Sequence, residues 1–179
     1  GTVTVWVIEI CGLADVRVTE FTKSPILLKL LKSTPPAIVV EFVGSSSSLT
    51  IPSTVTNDGK TYNVTSITSG AFFGCKDITD ITIPEGVTSI GNHAFSLCKT
   101  ITEFVVPENV VYIGNNVFEG SIAQGEYNAL EKVSFEGDKL EKVGNAAFRY
   151  CYNLSEIALP NSVKEIGKNA FQSCTSLTM

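Results

Sequence analysis

From residue 49 onward the chain sets its apolar residues in an ordered series that recurs. The stretch "IPEGVTSIGNHAFSLCKTI" (Ile83 to Ile101) shows one cycle, and "LPNSVKEIGKNAFQSCTSL" near the end shows another. In "ITDITIP", Ile81 and Ile83 alternate with Asp80 and Thr82, which predicts a short strand with its aliphatic face inward. Pro84 cannot donate to a strand ladder and fixes its own φ, so it ends the strand at a corner. Val87 and Ile90 then face inward on the next side. Gly91 allows a bend or a close approach that a Cβ would block. Ala94 and Phe95 fill the interior from a helical turn, and Cys98 takes a small buried slot before the next strand.

The pairs Ala71-Phe72, Ala94-Phe95, Val117-Phe118, Ala147-Phe148 and Ala170-Phe171 are spaced by 23 residues, with one gap of 30. Cys75, Cys98, Cys151 and Cys174 each follow their Phe by three positions, and Ser121 holds the fifth such place. One such winding cannot bury its own faces, so successive windings must stack with like residues over like. A period of this length with aliphatic positions is that of a leucine-rich-repeat solenoid. The expectation is a right-handed α/β solenoid of about five 23-residue coils over residues 49–179, preceded by an N-terminal α/β capping unit at residues 1–48.

Within that cap "TVTVWVIEI" and "AIVVEFV" read as strands, with Trp6 in the core. "SPILLKLLK" reads as a helix capped by Ser24 with Pro25 at its first position. "GSSSS" (Gly44 to Ser48) links the cap to the first coil. Two coils depart from the template. The first carries "TNDGKTYN", whose Asn57-Asp58-Gly59 run predicts the turn of a small hairpin. The third inserts "SIAQGEYNA" over residues 121–129.

Composition narrows the classes. With 44% hydrophobic and 17% charged residues the chain is a folding one. A formal charge of −5 with scattered basic residues excludes nucleic acid and an anionic membrane surface as partners. No apolar run reaches the ~20 residues of a membrane span, so no membrane insertion of this segment is expected. The first residues carry no secretory signal.

The cycles "ITIPEGVTSIGNHAFSLCKTI" and "IALPNSVKEIGKNAFQSCTSL", with the opening coil "LTIPSTVTNDGKTYNVTSI", resemble the BspA-like leucine-rich repeats of bacterial surface proteins. The resemblance covers about residues 49–179. It implies secreted or cell-surface proteins, some of which adhere to host matrix proteins or to other cells. It also implies no catalytic residues and no cofactor.

The residues themselves point the same way. The four repeat cysteines fall in one interior column, where buried thiols act as small hydrophobes, and Cys11, outside it, is the more reactive thiol expected. No close Cys or His spacing predicts a metal site. His93 faces outward and Cys98 inward, so the two form no nucleophile pair. Asp80, Glu103 and Glu156 align as a solvated column rather than a calcium cage.

What is left for function is the outer surface. Most outward positions are small or charged, but the third coil presents Val105, Val111 and Tyr112 beside the inserted loop with Tyr127. These four are the candidate ligand-binding residues, since grouped exposed apolar side chains mark interaction patches. The expected function is a non-enzymatic recognition or adhesion module. Its expected partner is a surface protein or glycan of a host or neighbouring cell. The alternative is a structural spacer that displays another module. A further expectation is end-to-end self-association through Ile166, Phe171 and Leu177 of the last coil.

Overall fold

The computed structural model describes residues 47–57, 60–122 and 128–178, preceded by the backbone of four short strands. Those strands are β1 (Thr4–Val5), β2 (Phe21–Thr22), β3 (Leu28–Leu30) and β4 (Ala37–Phe42). β1 pairs antiparallel with β2. β3 pairs antiparallel with β4, with Leu28 opposite Phe42 and Lys29 opposite Glu41. The helix expected over "SPILLKLLK" is therefore corrected to a strand at Leu28–Leu30. So short an amphipathic run has little helical stability of its own, and pairing with β4 satisfies its backbone instead. Trp6, Cys11, Ser24 and Pro25 lie outside the described residues.

The winding begins with β5 (Ser48–Thr50), β6 (Thr54–Asn57) and β7 (Lys60–Ile67), followed by β8 (Asp80–Thr82) and β9 (Ser89–Ile90). It continues with β10 (Glu103–Val106), β11 (Tyr112–Ile113) and β12 (Lys132–Phe135). β13 (Lys142–Val143), β14 (Glu156–Ile157) and β15 (Glu165–Ile166) complete it. β6 and β7 form the expected hairpin, with Asn57 opposite Lys60.

Each coil has three walls. On the first, β5 pairs with β8, β10 with β12 and β12 with β14, all parallel. On the second, β7, β9, β11, β13 and β15 form a continuous parallel ladder, which β4 extends on the N-terminal side. Register places like over like: Tyr112 lies beside Ser89 and Lys142, and Lys142 beside Glu165.

The third wall corrects the α/β expectation. Among the described residues there is no helix, and the Ala-Phe segments are chains of tight turns. Alternate N–H groups close turns within the coil, as in Ala94 to Gly91 O, Ser96 to His93 O and Cys98 to Phe95 O. The groups between them donate to the next coil: His93 to Asn115 O at 2.8 Å, Phe95 to Val117 O at 2.9 Å and Leu97 to Glu119 O at 3.1 Å. A helix would spend all these donors internally and leave nothing to join the coils. The alternation needs left-handed backbone at His93, Leu97, Asn116, Ala146, Tyr150, Asn169 and Ser173. Each such non-glycine residue carries strain of about 1–2 kcal/mol, which the stacked ladder overrides.

Inside, Phe72, Phe95, Phe118, Phe148 and Phe171 stack as one column, with successive centroids 4.9, 5.2, 5.6 and 5.3 Å apart and nearly parallel rings. Phe104 meets Phe95 and Phe118 edge-on at 5.0 and 4.6 Å. Around this spine Ile, Val, Leu and the repeat Ala residues form one continuous core. The glycines that follow Ile90, Ile113, Val143 and Ile166 allow close approach of the coils. A Cβ on Gly144 would stand 2.4 Å from the backbone of Gly114.

Candidate recognition surface

The outer faces of the strand walls are mostly polar rows. On the second wall, Lys142 pairs with Glu165 at 2.8 Å and Lys164 with Glu141 at 2.7 Å. On the first, Lys132 pairs with Glu156 at 2.7 Å, so the expected acidic column carries a lysine between Glu103 and Glu156. These carboxylates hold the ammonium groups of Lys132 and Lys142 above the ordinary lysine range, through hydrogen bonds. Both lysine side chains reach solvent, 45% and 43% exposed, so the effect adds little to stability.

Coil three interrupts the rows. Val105 and Val111 are 41% and 39% exposed, and Tyr112 is half-buried between Ser89 and Lys142. These residues do not share one wall. Val105 belongs to β10 on the first wall and Tyr112 to β11 on the second, with the Pro107 corner between them. Residues 121–129 join the third wall to the first, so the insertion leaves from a different corner than that beside Tyr112. Tyr127 lies outside the described residues.

At the corner of the insertion the structure gathers a second group. Arg149 pairs with Glu119 across the coil boundary at 3.5 Å, and Asn116 holds the other Glu119 oxygen at 2.8 Å. The Arg149 guanidinium lies over the Tyr150 ring, 4.4 Å from its centroid, and donates to the Tyr150 hydroxyl. The Arg149 Nε is buried with no hydrogen-bond partner among the described residues. Tyr152 lies 6.1 Å from Tyr150 between ring centroids, and Ile122 is 68% exposed. Asn128, buried at the base of the insertion, donates to Phe118 O at 3.1 Å and accepts from Leu130 N–H at 2.8 Å. The repeat template hides this group. Arg149 and Glu119 occupy equivalent positions 30 residues apart, and only that offset links them in the sequence.

A second feature missed in the sequence is an asparagine ladder. Asn92 Oδ1 accepts the Asn115 N–H at 2.8 Å, Asn115 Oδ1 the Asn145 N–H at 2.7 Å, and Asn145 Oδ1 the Lys168 N–H at 2.7 Å. The signal was the recurrent Ile-Gly-Asn at 90–92 and 113–115, with Val-Gly-Asn at 143–145.

The thiol column also has a bonding role. Cys98, Cys151 and Cys174 donate their S–H to Phe72 O, Phe118 O and Phe148 O of the preceding coil, at 3.0–3.1 Å. Among the described residues no group of three His, Cys, Asp or Glu side chains is placed to hold a metal, and no helix is long and apolar enough to cross a membrane. His93 is exposed and Cys98 buried, in agreement with their expected sides.

Comparison with known families returns the BspA type leucine rich repeat region, matched in six copies over residues 43–178. The chain belongs to this family. Six repeat units thus cover a region with five phenylalanine-bearing turns. Among solved structures the fold is similar to a leucine-rich-repeat protein of T. pallidum, with TM-score 0.70 and 26% identity over 84% of this chain and 66% of that one. A leucine-rich-repeat protein of Bacteroides ovatus aligns with TM-score 0.61 and 26% identity, over 88% of this chain and 45% of that one. The pneumococcal vaccine antigen PcpA shares the fold at TM-score 0.59 and 22% identity, over 84% and 46% of the two chains. This BspA-type chain therefore spans from under half to about two thirds of the length of those proteins. No curated protein sequence matches it.

Proposed function

We propose that this BspA-type chain is a non-enzymatic recognition module of a secreted or cell-surface protein, binding a protein or glycan of another cell through its third coil. The carrying observation is the break in the polar rows: Tyr112 lies between Ser89 and the ion-paired Lys142, Val111 is exposed beside it, and Val105 is exposed next to Ser134 on the first wall. Desolvating Lys–Glu pairs opposes docking, whereas exposed Val and Tyr side chains favour it. A surface setting is supported by a similar fold in a Faecalibacterium prausnitzii protein described as a leucine rich cell surface protein.

One wall of such a stack offers only a few hundred Å², against roughly 800 Å² per partner in a stable interface. Binding therefore uses more than one wall, or several copies displayed together. The test is an array of matrix proteins and glycans probed with the intact gene product. Val105→Asp with Tyr112→Ala is expected to lower binding at least tenfold, while Lys164→Ala leaves it unchanged. Equal binding by all variants removes coil three as the site.

The second reading is a spacer that displays another module. The ion-paired walls of the last two coils favour it. It predicts no bound partner on the array.

A further inference from the structure

Cys75 and Cys98 hold equivalent positions in neighbouring coils, 23 residues apart. The Phe72 carbonyl oxygen draws them together. It accepts the Cys75 N–H at 3.1 Å and the Cys98 S–H at 3.0 Å, so the Cys98 thiol leans out of its own coil towards Cys75. The backbones beside them are joined by the Gly74 N–H to Ser96 O bond at 2.9 Å. Cys98 is buried, whereas Cys75 is half-exposed at the corner of the turn wall.

Cys151 and Cys174 repeat the arrangement, with the Cys151 N–H and the Cys174 S–H both on Phe148 O. Both of these thiols are buried. The chain thus carries the same paired geometry twice, once with access from solvent and once without.

We propose that Cys75 is a thiol–disulfide exchange site for small organic disulfides of the glutathione type, with Cys98 as its resolving thiol. The adjacent Cys98 side chain holds the Cys75 thiol below the ordinary range, against its partial burial and the Asp77 carboxylate. The same contact and burial push Cys98 far up, so it waits as a neutral thiol. In the first step the Cys75 thiolate attacks one sulfur of the disulfide, forming a mixed disulfide and expelling one thiolate. Cys98 then gives its proton to solvent and attacks the Cys75 sulfur, expelling the second thiolate. One small disulfide is reduced to two thiols, and two protein thiols become one Cys75–Cys98 bond. Parallel side chains on stacked coils suit a disulfide torsion poorly, so closing the bond requires one thiol to change rotamer.

The test uses the full chain with Cys11→Ser, so that no thiol outside the column exchanges, treated with oxidised glutathione and mapped by peptide mass spectrometry. The expected product is a Cys75–Cys98 disulfide with no retained glutathione. Cys98→Ser is expected to accumulate the mixed disulfide at Cys75, and Cys75→Ser to give neither product while melting as the parent does. Cys75 is also expected to react with iodoacetamide at least tenfold faster than Cys151 and Cys174. A stable mixed disulfide at Cys75 in the parent overturns the resolving role. Free Cys75 after treatment, or Cys151–Cys174 linkage at an equal rate, overturns the site itself.

Discussion

The side-chain oxygen of Asn115 accepts the backbone N–H of Asn145 at 2.7 Å, across one coil boundary and an offset of 30 residues. The bond forms although an insertion lengthens the path between the two residues. Stacking register, not sequence distance, sets the contact. The same holds for Arg149 and Glu119, and for Cys151 and Phe118.

The ladder should weaken in proportion to its burial. The Asn92 bond to Asn115 is partly buried, and the Asn145 bond to Lys168 is exposed. Asn92→Ala is expected to cost about 1 kcal/mol, because its loss strands a shielded N–H. Asn145→Ala is expected to cost less, because water replaces the lost acceptor. Urea unfolding of the two variants compares them directly, and the reverse order would show that the side chains do not act as coil-to-coil acceptors.

Two glycines separate close approach from backbone conformation. Gly144 has no room for a Cβ beside Gly114, while Gly70 has open space but a φ of +71°. Gly144→Ala is expected to destabilise by about 1–3 kcal/mol or more through overpacking, and Gly70→Ala by about 1 kcal/mol through strain. Thermal melts of both variants check the ranking.

The phenylalanine column predicts a positional gradient. Phe118 contacts Phe95, Phe104 and Phe148 and is fully buried, whereas Phe171 is half-buried. Phe118→Ala is expected to lose about 3–5 kcal/mol by leaving a cavity within the stack. Phe171→Ala should lose clearly less. Equal losses in denaturant titrations would contradict a continuous interior column.

Burial raises Cys151 well above the ordinary thiol range and pushes Cys174 up to about 11. A thiol raised in the folded state leaves stability intact while both states keep the proton. Stability is lost as pH climbs from the unfolded value of about 8.5 through the folded one, because the unfolded chain ionises first. Unfolding midpoints should therefore fall above about pH 9. Cys174→Ser should flatten that fall, and a parent-like pH profile in the variant would remove the thiol as its cause.

Much of this was legible in advance. Ile81, Ile83, Val87, Ile90, Ala94 and Phe95 are buried as their pattern predicts, and the glycine after Ile90 stands where a neighbouring coil comes close. Three points were not. The Ala-Phe segments read as helical turns because their composition suits helix, yet their donors alternate between their own coil and the next. Leu28–Leu30 read as helix from its local pattern, and pairing with β4 decided otherwise. Arg149 and Glu119 gave no signal within a repeat, and only the 30-residue offset set by the insertion brings them together.

The sequence by itself determined the repeat, its register and the identity of the core column, because each template position carries a local steric demand that recurs. Tertiary structure decided which donors join the coils, which side chains of different coils meet, and which thiol of a repeated pair reaches solvent. Those outcomes depend on partners in the neighbouring winding, and no pattern within a single repeat records them.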